Sequence, residues 1–404
     1  MNQSYNENIF TVSATEPDPL EAIVRRGARV MLEAALEHEV FEYLERTKHE
    51  RVAEGEEFRG YRNGYAQERK LTVGSGTIKV RLPRVADVPA TQEPFASQIV
   101  KPYQRRSRTL AEVFPNLFIE GLATRDFEPA LRCLMGEEAA LSPSTIVRLN
   151  AKFKREYEDW TRSSLSSLPI IYVWVDGIYM KAGIGSEKAC MLVVIGADVT
   201  GKKHLLALEE GYRESKESWL AVLRQLKARG MNEPSVAVGD GGLGFWAAAA
   251  EVWRLTNQQR CWLHKVRNIL DKLPQRERET AAQQLRAIYL SKSREEAKAK
   301  AVTLARSWKG MYDAAAECVL DDLDRMFTFY DFPAEHSRHL RTTNPVESVF
   351  APVRVRTNAM KRLRTARSGV HLIFQLIKRQ EPKWQRISHA EKLRYVKLPA
   401  AMGA

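Results

Sequence analysis

The 404-residue chain has few cysteines and no long apolar run. Its four cysteines are each more than fifty residues from the next, a spacing unlike a disulfide framework or a zinc ribbon. No uninterrupted apolar run approaches the ~18 residues of a membrane span. The first twenty residues contain no Lys or Arg and no apolar segment of signal-peptide length. We therefore expect a protein that stays in the reducing cytoplasm, where it is made, and has no membrane-spanning segment.

The composition is that of an ordinary globular protein with an excess of positive charge. Apolar residues make up 44% of the chain and charged residues 28%, which argues against wholesale disorder. The 63 Lys and Arg against 50 Asp and Glu give a net charge of +13 and a pI near 9.5. This excess favours a polyanionic partner, either nucleic acid or an anionic membrane surface.

The positive charge is concentrated in two blocks. Arg59 to Arg108 contains 11 basic and three acidic residues, and Arg341 to Lys397 contains 14 basic and three acidic residues. Two surfaces rich in Lys and Arg that contact only solvent would also explain the pattern. Nucleic-acid contact is the favoured interpretation, because neutralising phosphates with release of counterions is the commonest use of such blocks.

The hydrophobic pattern changes from helical to strand-like near residue 168. Apolar residues at helical spacing predict a helix over 20–44, and a basic hairpin follows around Gly74-Ser75-Gly76. Helical stretches up to residue 157 permit a helix-turn-helix-like unit, although short helices are common in any helical domain. Short apolar runs then predict three strands in meander order, a helix over 215–228 and a fourth strand over 235–238. The charge-rich region 273–332 is predicted to be wholly helical.

Two of these strands end in an acid that is followed at once by glycine. The residues are Asp176-Gly177 after the first strand and Asp240-Gly241 after the fourth. If the strands are parallel neighbours, their carboxyl ends place both acids at one edge of the sheet, where ligands bind in α/β folds. Carboxylates held together favour a hard divalent cation such as Mg²⁺ or Mn²⁺. The alternative is that Asp-Gly after a strand is only turn chemistry.

A third acid is expected from a helix that packs over this edge, and Glu347 is the candidate. Its alternative role is structural, because Asn344, Pro345 and Glu347 fit a capping box with Asn344 as the N-cap. The pair Cys261 and His264 also has two interpretations. With His336 and His339 it would complete a four-ligand zinc site. Without a metal, His264 would donate a hydrogen bond to a phosphate and Cys261 would be a buried thiol.

Taken together, these motifs resemble the Mutator-type transposases of bacterial insertion sequences along the full length of the chain. The motifs are Arg62-Asn63-Gly64-Tyr65 with Pro83-Arg84, Val175-Asp176-Gly177, Gly239-Asp240-Gly241, Cys261-Trp262-Leu263-His264-Lys265 with Asn268, and Thr343-Asn344-Pro345-Val346-Glu347-Ser348. The resemblance implies an α/β fold with a ribonuclease-H-like catalytic domain, in which a mixed sheet has the strand order 3-2-1-4-5. It also implies an all-helical insertion and a mainly helical N-terminal DNA-binding region.

The resemblance assigns roles to individual residues. Asp176, Asp240 and Glu347 become a DDE catalytic triad that holds two Mg²⁺ ions, for which Mn²⁺ can substitute, and Cys261 with His264 becomes the Cys-x-x-His signature of the family. Contacts to DNA are predicted for twelve basic residues, Arg59, Arg62, Lys79, Arg81, Arg84, Arg105, Arg106, Arg354, Arg356, Lys361, Arg362 and Arg364.

The function that follows is cleavage and transfer of DNA strands by a transposase. The expected DNA partners are the terminal inverted repeats of the element and the target DNA, and no membrane partner is expected. The protein should form at least a homodimer on DNA. It should be located in the bacterial cytoplasm, and at the nucleoid when it is bound to DNA. Two alternatives remain: a non-catalytic DNA-binding regulator derived from a transposase, and a nuclease of the same fold without strand transfer.

The predicted domains follow the motifs along the chain. They are an N-terminal helical region (1–70), a basic hairpin with a helix-turn-helix-like region (71–165), the first part of the core (166–272), a helical insertion (273–335), the last part of the core with Glu347 (336–375) and a basic C-terminal tail (376–404).

Overall fold

The computed structural model describes residues 18–45, 58–122, 126–135, 143–181, 188–211, 213–359 and 366–399. The chain divides into two compact units, Met1–Val147 and Arg148–Ala404. Among the described helices, none is both long enough and apolar enough to cross a bilayer.

The first unit begins with the predicted long helix, α1 (Pro19–Leu44). The Asp18 carboxylate caps its N-terminus by accepting the backbone N–H groups of Leu20 and Glu21, and Pro19 occupies the first helical position, where its missing donor costs nothing. Near its C-terminal end, Leu36, Val40 and Leu44 lie four residues apart and are buried. The helical spacing of apolar residues therefore marks the face that packs inward.

Four short strands follow and form two separate antiparallel pairs. The predicted hairpin consists of β2 (Arg69–Val73) and β3 (Gly76–Val80), whose Leu71, Ile78 and Val80 pack with Leu36 of α1. A second pair joins β1 (Tyr61–Tyr65) to β4 (Pro83–Ala86). The predicted boundary at residue 70 falls inside β2, and the pairing of β1 with β4 crosses it. Pairing between distant residues, which no local pattern records, joins the two segments.

Three helices complete the N-terminal sequence, α2 (Arg108–Glu120), α3 (Phe127–Met135) and α4 (Pro143–Arg162). Ser107 caps α2 by accepting the N–H of Leu110. Helices α3 and α4 lie in the region where the sequence permits a helix-turn-helix-like unit, and the residues that connect them, 136–142, lie outside the described residues. Helix α4 continues past Val147 into the second unit.

The second unit is built on a five-stranded mixed sheet. Its strands are β5 (Ile170–Lys181), β6 (Lys188–Asp198), β7 (Lys203–Gly211), β8 (Val236–Gly239) and β9 (Asn257–Arg260), in the spatial order β7-β6-β5-β8-β9. The first three are antiparallel, whereas β8 and β9 run parallel to β5. Apolar runs predicted the first four strands.

The fifth strand, β9, was not found from the hydrophobic pattern because its sequence is polar. Gln259 in β9 is fully buried, yet its side chain donates to the Met326 carbonyl at 3.0 Å and accepts the Phe329 N–H at 2.7 Å. Hydrogen bonds therefore replace apolar contacts at this position, and satisfied polar groups can occupy a sheet interior.

Two helices cover one face of the sheet, α5 (Lys216–Ala228) and α6 (Leu243–Val252). Ser215 caps α5 by accepting the N–H of Ser218, and Trp219 is buried with Phe245 of α6 against the apolar side chains of the strands. This packing fixes the connection from β8 to α6, which contains Asp240, over the sheet.

After β9, every regular element of residues 262–359 is helical. Helix α7 (Trp262–Leu270) leads into the predicted insertion, whose region 273–335 contains α8 (Arg278–Tyr289), α9 (Arg294–Trp308), α10 (Asp313–Leu320) and α11 (Leu323–Met326). Two further helices, α12 (Ser337–Leu340) and α13 (Asn344–Ala359), bring the chain back to the sheet.

The C-terminal segment lies on the sheet and is not a free tail. Helix α14 (Ala366–Gln380) runs through the predicted boundary at 375. Beyond it, Glu381 accepts the Leu205 N–H at 2.9 Å, the Ile387 N–H binds the Gly201 carbonyl at 2.9 Å, and the Lys397 carbonyl accepts the Ser235 hydroxyl at 2.8 Å. These contacts join residues more than 160 positions apart, so no local pattern in the sequence indicates them.

Candidate active site

The two Asp-Gly motifs lie at the same edge of the sheet. Strands β5 and β8 are parallel neighbours, as expected, and Trp174 is the partner of Val238. Asp176 and Asp240 each follow two residues later, so both carboxylates leave the carboxyl end of the parallel pair. Asp176 remains within β5, opposite Val193 of β6, whereas Asp240 starts the loop to α6.

A charged side chain approaches the glycine after each acid. Neither Gly177 nor Gly241 has a left-handed backbone. A Cβ atom on Gly177 would lie 2.5 Å from the Glu214 Oε1 atom, and one on Gly241 would lie 1.9 Å from an Arg260 guanidinium nitrogen. Gly177 lies inside β5, opposite Leu192 of β6, so the turn interpretation is wrong for the first motif, whereas Gly241 lies in the loop after β8, where Asp240 accepts its N–H.

The third acid, Glu347, comes from the first turn of α13. This helix begins at Asn344, and the carbonyl of Thr343 accepts the N–H groups of Val346 and Glu347. Asn344 is consequently inside the helix, and the capping box that the sequence allowed does not form around it. The Glu347 carboxylate instead lies 3.7 Å from the ring of His264.

Cys261 fixes the start of that helix. Its thiol is buried, accepts the backbone N–H of Thr343 at 3.3 Å and lies 3.4 Å from the Thr343 hydroxyl. One residue later, the N–H of Trp262 donates to the Arg341 carbonyl at 2.8 Å. The residues just before Glu347 are thereby tied to the start of α7.

His264 lies between two of the acids. Its Nδ1 atom is 3.9 Å from the Asp240 Oδ1 atom, and its Nε2 atom is 3.7 Å from the Glu347 Oε1 atom. The Nδ1 atom is buried and has no hydrogen-bond partner among the described residues. Contact with the Cys261 thiol and the charges of Asp240 and Asp176 raise the pKa of His264 to about 9 against the effect of burial. The ring is therefore cationic at neutral pH.

The carboxylates at this edge are crowded. Burial, with smaller contributions from Glu214 and Glu347, raises the pKa of Asp176 to about 6, although His264 and the Gly177 N–H favour the ionised form. Burial and the charge of Asp240 likewise raise the pKa of Glu214. Such a site favours either protons or a bound cation.

The sequence reasoning missed Glu214. It stands between β7 and α5 and belongs to no motif of the resemblance. The signal that could have found it is positional, because it follows a strand next to β6 and directly precedes Ser215, the N-cap of α5.

The zinc alternative for Cys261 and His264 is not supported by the two other histidines. His336 Nδ1 is 2.9 Å from the Tyr172 hydroxyl, and its Nε2 is 3.1 Å from the His389 carbonyl. His339 Nε2 is 2.6 Å from the Ser388 hydroxyl. These contacts engage both rings as structural groups of the second unit.

The donor chemistry of the site fits a hard divalent cation. The acids offer carboxylate oxygens, which Mg²⁺ and Mn²⁺ prefer. Burial is the main cause of the raised pKa values of Asp176 and Glu214, and neighbouring carboxylates add smaller contributions. Among the residues that the structure describes, no three His, Cys, Asp or Glu side chains already form an enclosed metal-binding group.

The predicted DNA contacts of the first unit divide into two kinds. Arg62 donates to both Glu37 oxygens, at 2.6 and 3.1 Å, and only 6% of its side chain is exposed, while Arg59 pairs with Glu45 at 2.6 Å. Arg106 is half-buried beside β2. The remaining four are exposed at the surface: Lys79, Arg81, Arg84 and Arg105.

The predicted contacts of the C-terminal block also differ in exposure. Arg354 of α13 is exposed, whereas Arg356 is buried and 7% exposed. Lys361, Arg362 and Arg364 lie outside the described residues. Burial of Arg356 does not favour a phosphate contact, because an arginine must be exposed at the protein surface to bind a phosphate of DNA.

Comparison with known proteins identifies relatives along most of the chain. The profile described as "Transposase, Mutator family" matches residues 4–387. The transposase of insertion sequence element IS6120 from Mycolicibacterium smegmatis is 41% identical over 279 residues, which are 69% of this chain and 86% of that protein. The transposase of IST2 from Acidithiobacillus ferrooxidans is 40% identical over 66% of this chain and 90% of its own length. The transposase of ISRM5 from Rhizobium meliloti (strain 1021) is 29% identical over 92% and 89%.

Solved structures give much weaker similarities. The integrase catalytic core domain of HTLV-2 in complex with magnesium aligns with 31% of this chain and 88% of its own, at 17% identity and a TM-score of 0.18. The intasome of simian T-cell lymphotropic virus aligns with 30% and 49%, at 16% identity and a TM-score of 0.19. Family membership therefore rests on sequence, and by the match of residues 4–387 this chain belongs to the Mutator family of transposases.

Proposed function

We propose that this protein cuts DNA at the ends of an insertion sequence and joins the freed strands to a target, with Asp176, Asp240 and Glu347 as the catalytic acids. The observation that carries this proposal is their convergence. Asp176 and Asp240 leave one edge of the sheet, and His264 lies within 4 Å of both Asp240 and Glu347. The family match supports the reaction class.

The proposed fold of the catalytic unit is ribonuclease-H-like. Three antiparallel strands followed by two parallel strands, in the order β7-β6-β5-β8-β9, support this assignment. So does the position of the acids at the carboxyl ends of the central parallel pair, with the third acid on a helix that follows an all-helical insertion.

The proposed chemistry is two phosphoryl transfers. In cleavage, a water oxygen attacks the phosphorus at the element end, and the bond to the 3′-oxygen breaks to leave a 3′-hydroxyl and a 5′-phosphate. In strand transfer, that 3′-hydroxyl attacks a target phosphorus, a new diester forms, and the target strand loses its own bond to a 3′-oxygen. Two Mg²⁺ ions held by the three carboxylates would supply the Lewis acidity for activating both nucleophiles and stabilising the leaving oxygens.

The side chains of the protein position this chemistry. Cys261 and Thr343 hold the first turn of α13, so that the Glu347 carboxylate faces Asp240 across His264. The cationic His264 ring offsets part of the negative charge between these acids.

The proposed DNA contacts lie in the basic blocks. Exposed Lys79, Arg81, Arg84 and Arg105 would contact the terminal inverted repeats, and Arg354 would contact flanking or target DNA. Most of these contacts should be to phosphates, which position the duplex, while few read its sequence. Joining two element ends in one reaction implies at least a dimer on DNA.

The decisive experiment uses purified full-length protein and labelled DNA that carries the sequences flanking its own gene. Wild type is compared with Asp240→Ala in Mg²⁺ or Mn²⁺, and Asp324→Ala is the matched control, since the Asp324 side chain is 95% exposed and lies in the helical insertion. We expect metal-dependent cutting at a defined end and joined products for wild type and the control. Asp240→Ala should bind the same DNA and produce neither.

The products separate the alternatives. Nicks without joined strands would identify a nuclease, and binding without cutting by wild type would identify a regulator. Cleavage that survives Asp240→Ala would refute the assignment of the acids.

A further inference from the structure

We propose that Glu214 is a fourth carboxylate of the active site and that it contributes directly to binding of the divalent cation. This inference rests on the proposed function, since it concerns the cation that Asp176, Asp240 and Glu347 would hold. No motif of the sequence marks Glu214. Its position between two glycines of the site is the observation that carries the proposal.

The backbone of Glu214 is fixed on both sides. It directly precedes Ser215, whose hydroxyl oxygen accepts the Ser218 N–H at 3.2 Å and caps α5. On the other side, the first turn of α6 approaches so closely that a Cβ atom on Gly244 would lie 1.9 Å from the Glu214 carbonyl oxygen. The residue is therefore locked between two helix N-termini.

The side chain points into the site. A Cβ atom on Gly177 would lie 2.5 Å from the Glu214 Oε1 and Cδ atoms, and one on Gly242 would lie 3.5 Å from its Oε2 atom. Gly177 directly follows Asp176, and Gly242 is the second residue after Asp240. The carboxylate thus occupies the space that glycine leaves open beside each of these two acids.

The charge of Glu214 is compensated only in part, by the nearby cationic ring of His264. Its carboxylate accepts a hydrogen bond from the hydroxyl group of Tyr179, a half-exposed residue whose hydroxyl is a neutral donor. Within the described residues, no Lys or Arg side chain forms an ion pair with it. Arg260, which approaches Gly241, forms its ion pairs with Asp321 and Asp322, at 3.2 and 2.6 Å, and not with Glu214.

These contacts favour a ligand role over a packing role. A side chain needed only to fill space beside a glycine would be apolar, because burying a carboxylate away from water costs free energy. Carboxylates are retained near one another where a cation binds them. Glu214 would then add negative charge and one oxygen donor to the set supplied by Asp176 and Asp240.

The test measures metal binding without DNA and without catalysis. Mn²⁺ is titrated into the full-length protein, and free Mn²⁺ is followed by electron paramagnetic resonance for wild type, Glu214→Gln and Glu210→Gln. Glu210 is an exposed acid four residues earlier on β7 and is the matched control. We expect the apparent Kd to rise on the order of tenfold for Glu214→Gln and less than about twofold for Glu210→Gln.

Asp240→Asn separates this inference from the proposed function. If wild type binds Mn²⁺ and Asp240→Asn abolishes binding while Glu214→Gln matches wild type, the site stands and the role of Glu214 is refuted. If Asp240→Asn binds Mn²⁺ as wild type does, the proposed function fails, and the role of Glu214 at that site fails with it.

Gly177→Ala provides an independent test, because the added Cβ atom would displace the Glu214 carboxylate. It should weaken Mn²⁺ binding, and Gly177→Ala combined with Glu214→Gln should weaken it no more than the stronger single change. Circular dichroism and the Tm confirm that each variant is folded. Additive losses would overturn the proposal, because the two residues would then act independently.

Discussion

In the second unit, acids from separate elements converge around His264, whereas in the first unit the predicted DNA-contacting arginines divide between internal ion pairs and solvent. Arg62 is held by Glu37 with 6% of its side chain exposed, while Arg84 on β4 is exposed. The comparison teaches that a charged residue in a motif has a functional or a structural role according to its tertiary partner. Removing charges one at a time should therefore produce different losses in the two units.

The largest effect is expected for Glu347→Gln. Glutamine keeps the size of the side chain and removes the charge that faces His264, so cleavage should fall on the order of 10³-fold while DNA affinity is unchanged. Cleavage rates and gel-shift titrations measure the two quantities. Glu317→Gln, an exposed position in α10, is the control and should match wild type. Equal losses of affinity and cleavage would show that Glu347 binds DNA.

Arg62→Ala should destabilise the first unit. Removing Arg62 takes from Glu37 the largely buried partner of its ion pair, which costs about 2–3 kcal/mol because Glu37 itself is partly exposed. Urea unfolding of the full-length protein measures this loss, and Arg84→Ala should change stability by less than about 0.5 kcal/mol. If Arg62→Ala were as stable as wild type but bound DNA more weakly, the result would support the DNA contact of Arg62 that the sequence predicts.

Asp176→Asn should stabilise the metal-free protein at high pH. Because the folded-state pKa of Asp176 is raised to about 6, wild type loses stability as pH rises from about 4 to 6 and the carboxylate ionises. Asparagine does not ionise, so at pH 8 the variant should be more stable by about 1–2 kcal/mol, with no gain at pH 4. Thermal unfolding in chelator checks this. A gain of equal size at both pH values would rule out ionisation as its cause.

Cys261→Ala should reduce cleavage by about tenfold through the position of Glu347. Loss of the sulfur removes the acceptor of the Thr343 N–H, and small displacements of a catalytic group are costly. Cys318→Ala, in α10 of the insertion, is the control for loss of a thiol. A Cys261→Ala protein with normal cleavage would show that the other contacts of α13 suffice to position Glu347.

The smallest effect is expected for Arg84→Gln. One lost phosphate contact should weaken binding severalfold on every DNA sequence and lower the slope of log affinity against log salt by about 1. Titrations at three salt concentrations measure the slope. An unchanged slope would place Arg84 outside the interface.

Local pattern alone predicted much of the fold. The helix over 20–44, the hairpin around Gly74-Ser75-Gly76, four strands of the sheet and the helical insertion are all found. These elements follow from the spacing of apolar residues over fewer than thirty positions. The polar strand β9 and the returning C-terminal segment were missed, because hydrogen bonds to distant residues hold them in place.

The sequence by itself determined that Asp176 and Asp240 each follow a run of strand residues and directly precede a glycine. Only the tertiary structure decided what lies beside these glycines: the Glu214 carboxylate approaches Gly177, and the Arg260 guanidinium group approaches Gly241. It likewise decided that Cys261 holds Thr343 and that Arg62 is buried against Glu37. The physical reason is the separation along the chain between the residues that interact. Secondary structure follows from neighbours along the chain, whereas burial, charge compensation and pKa depend on residues that folding brings close.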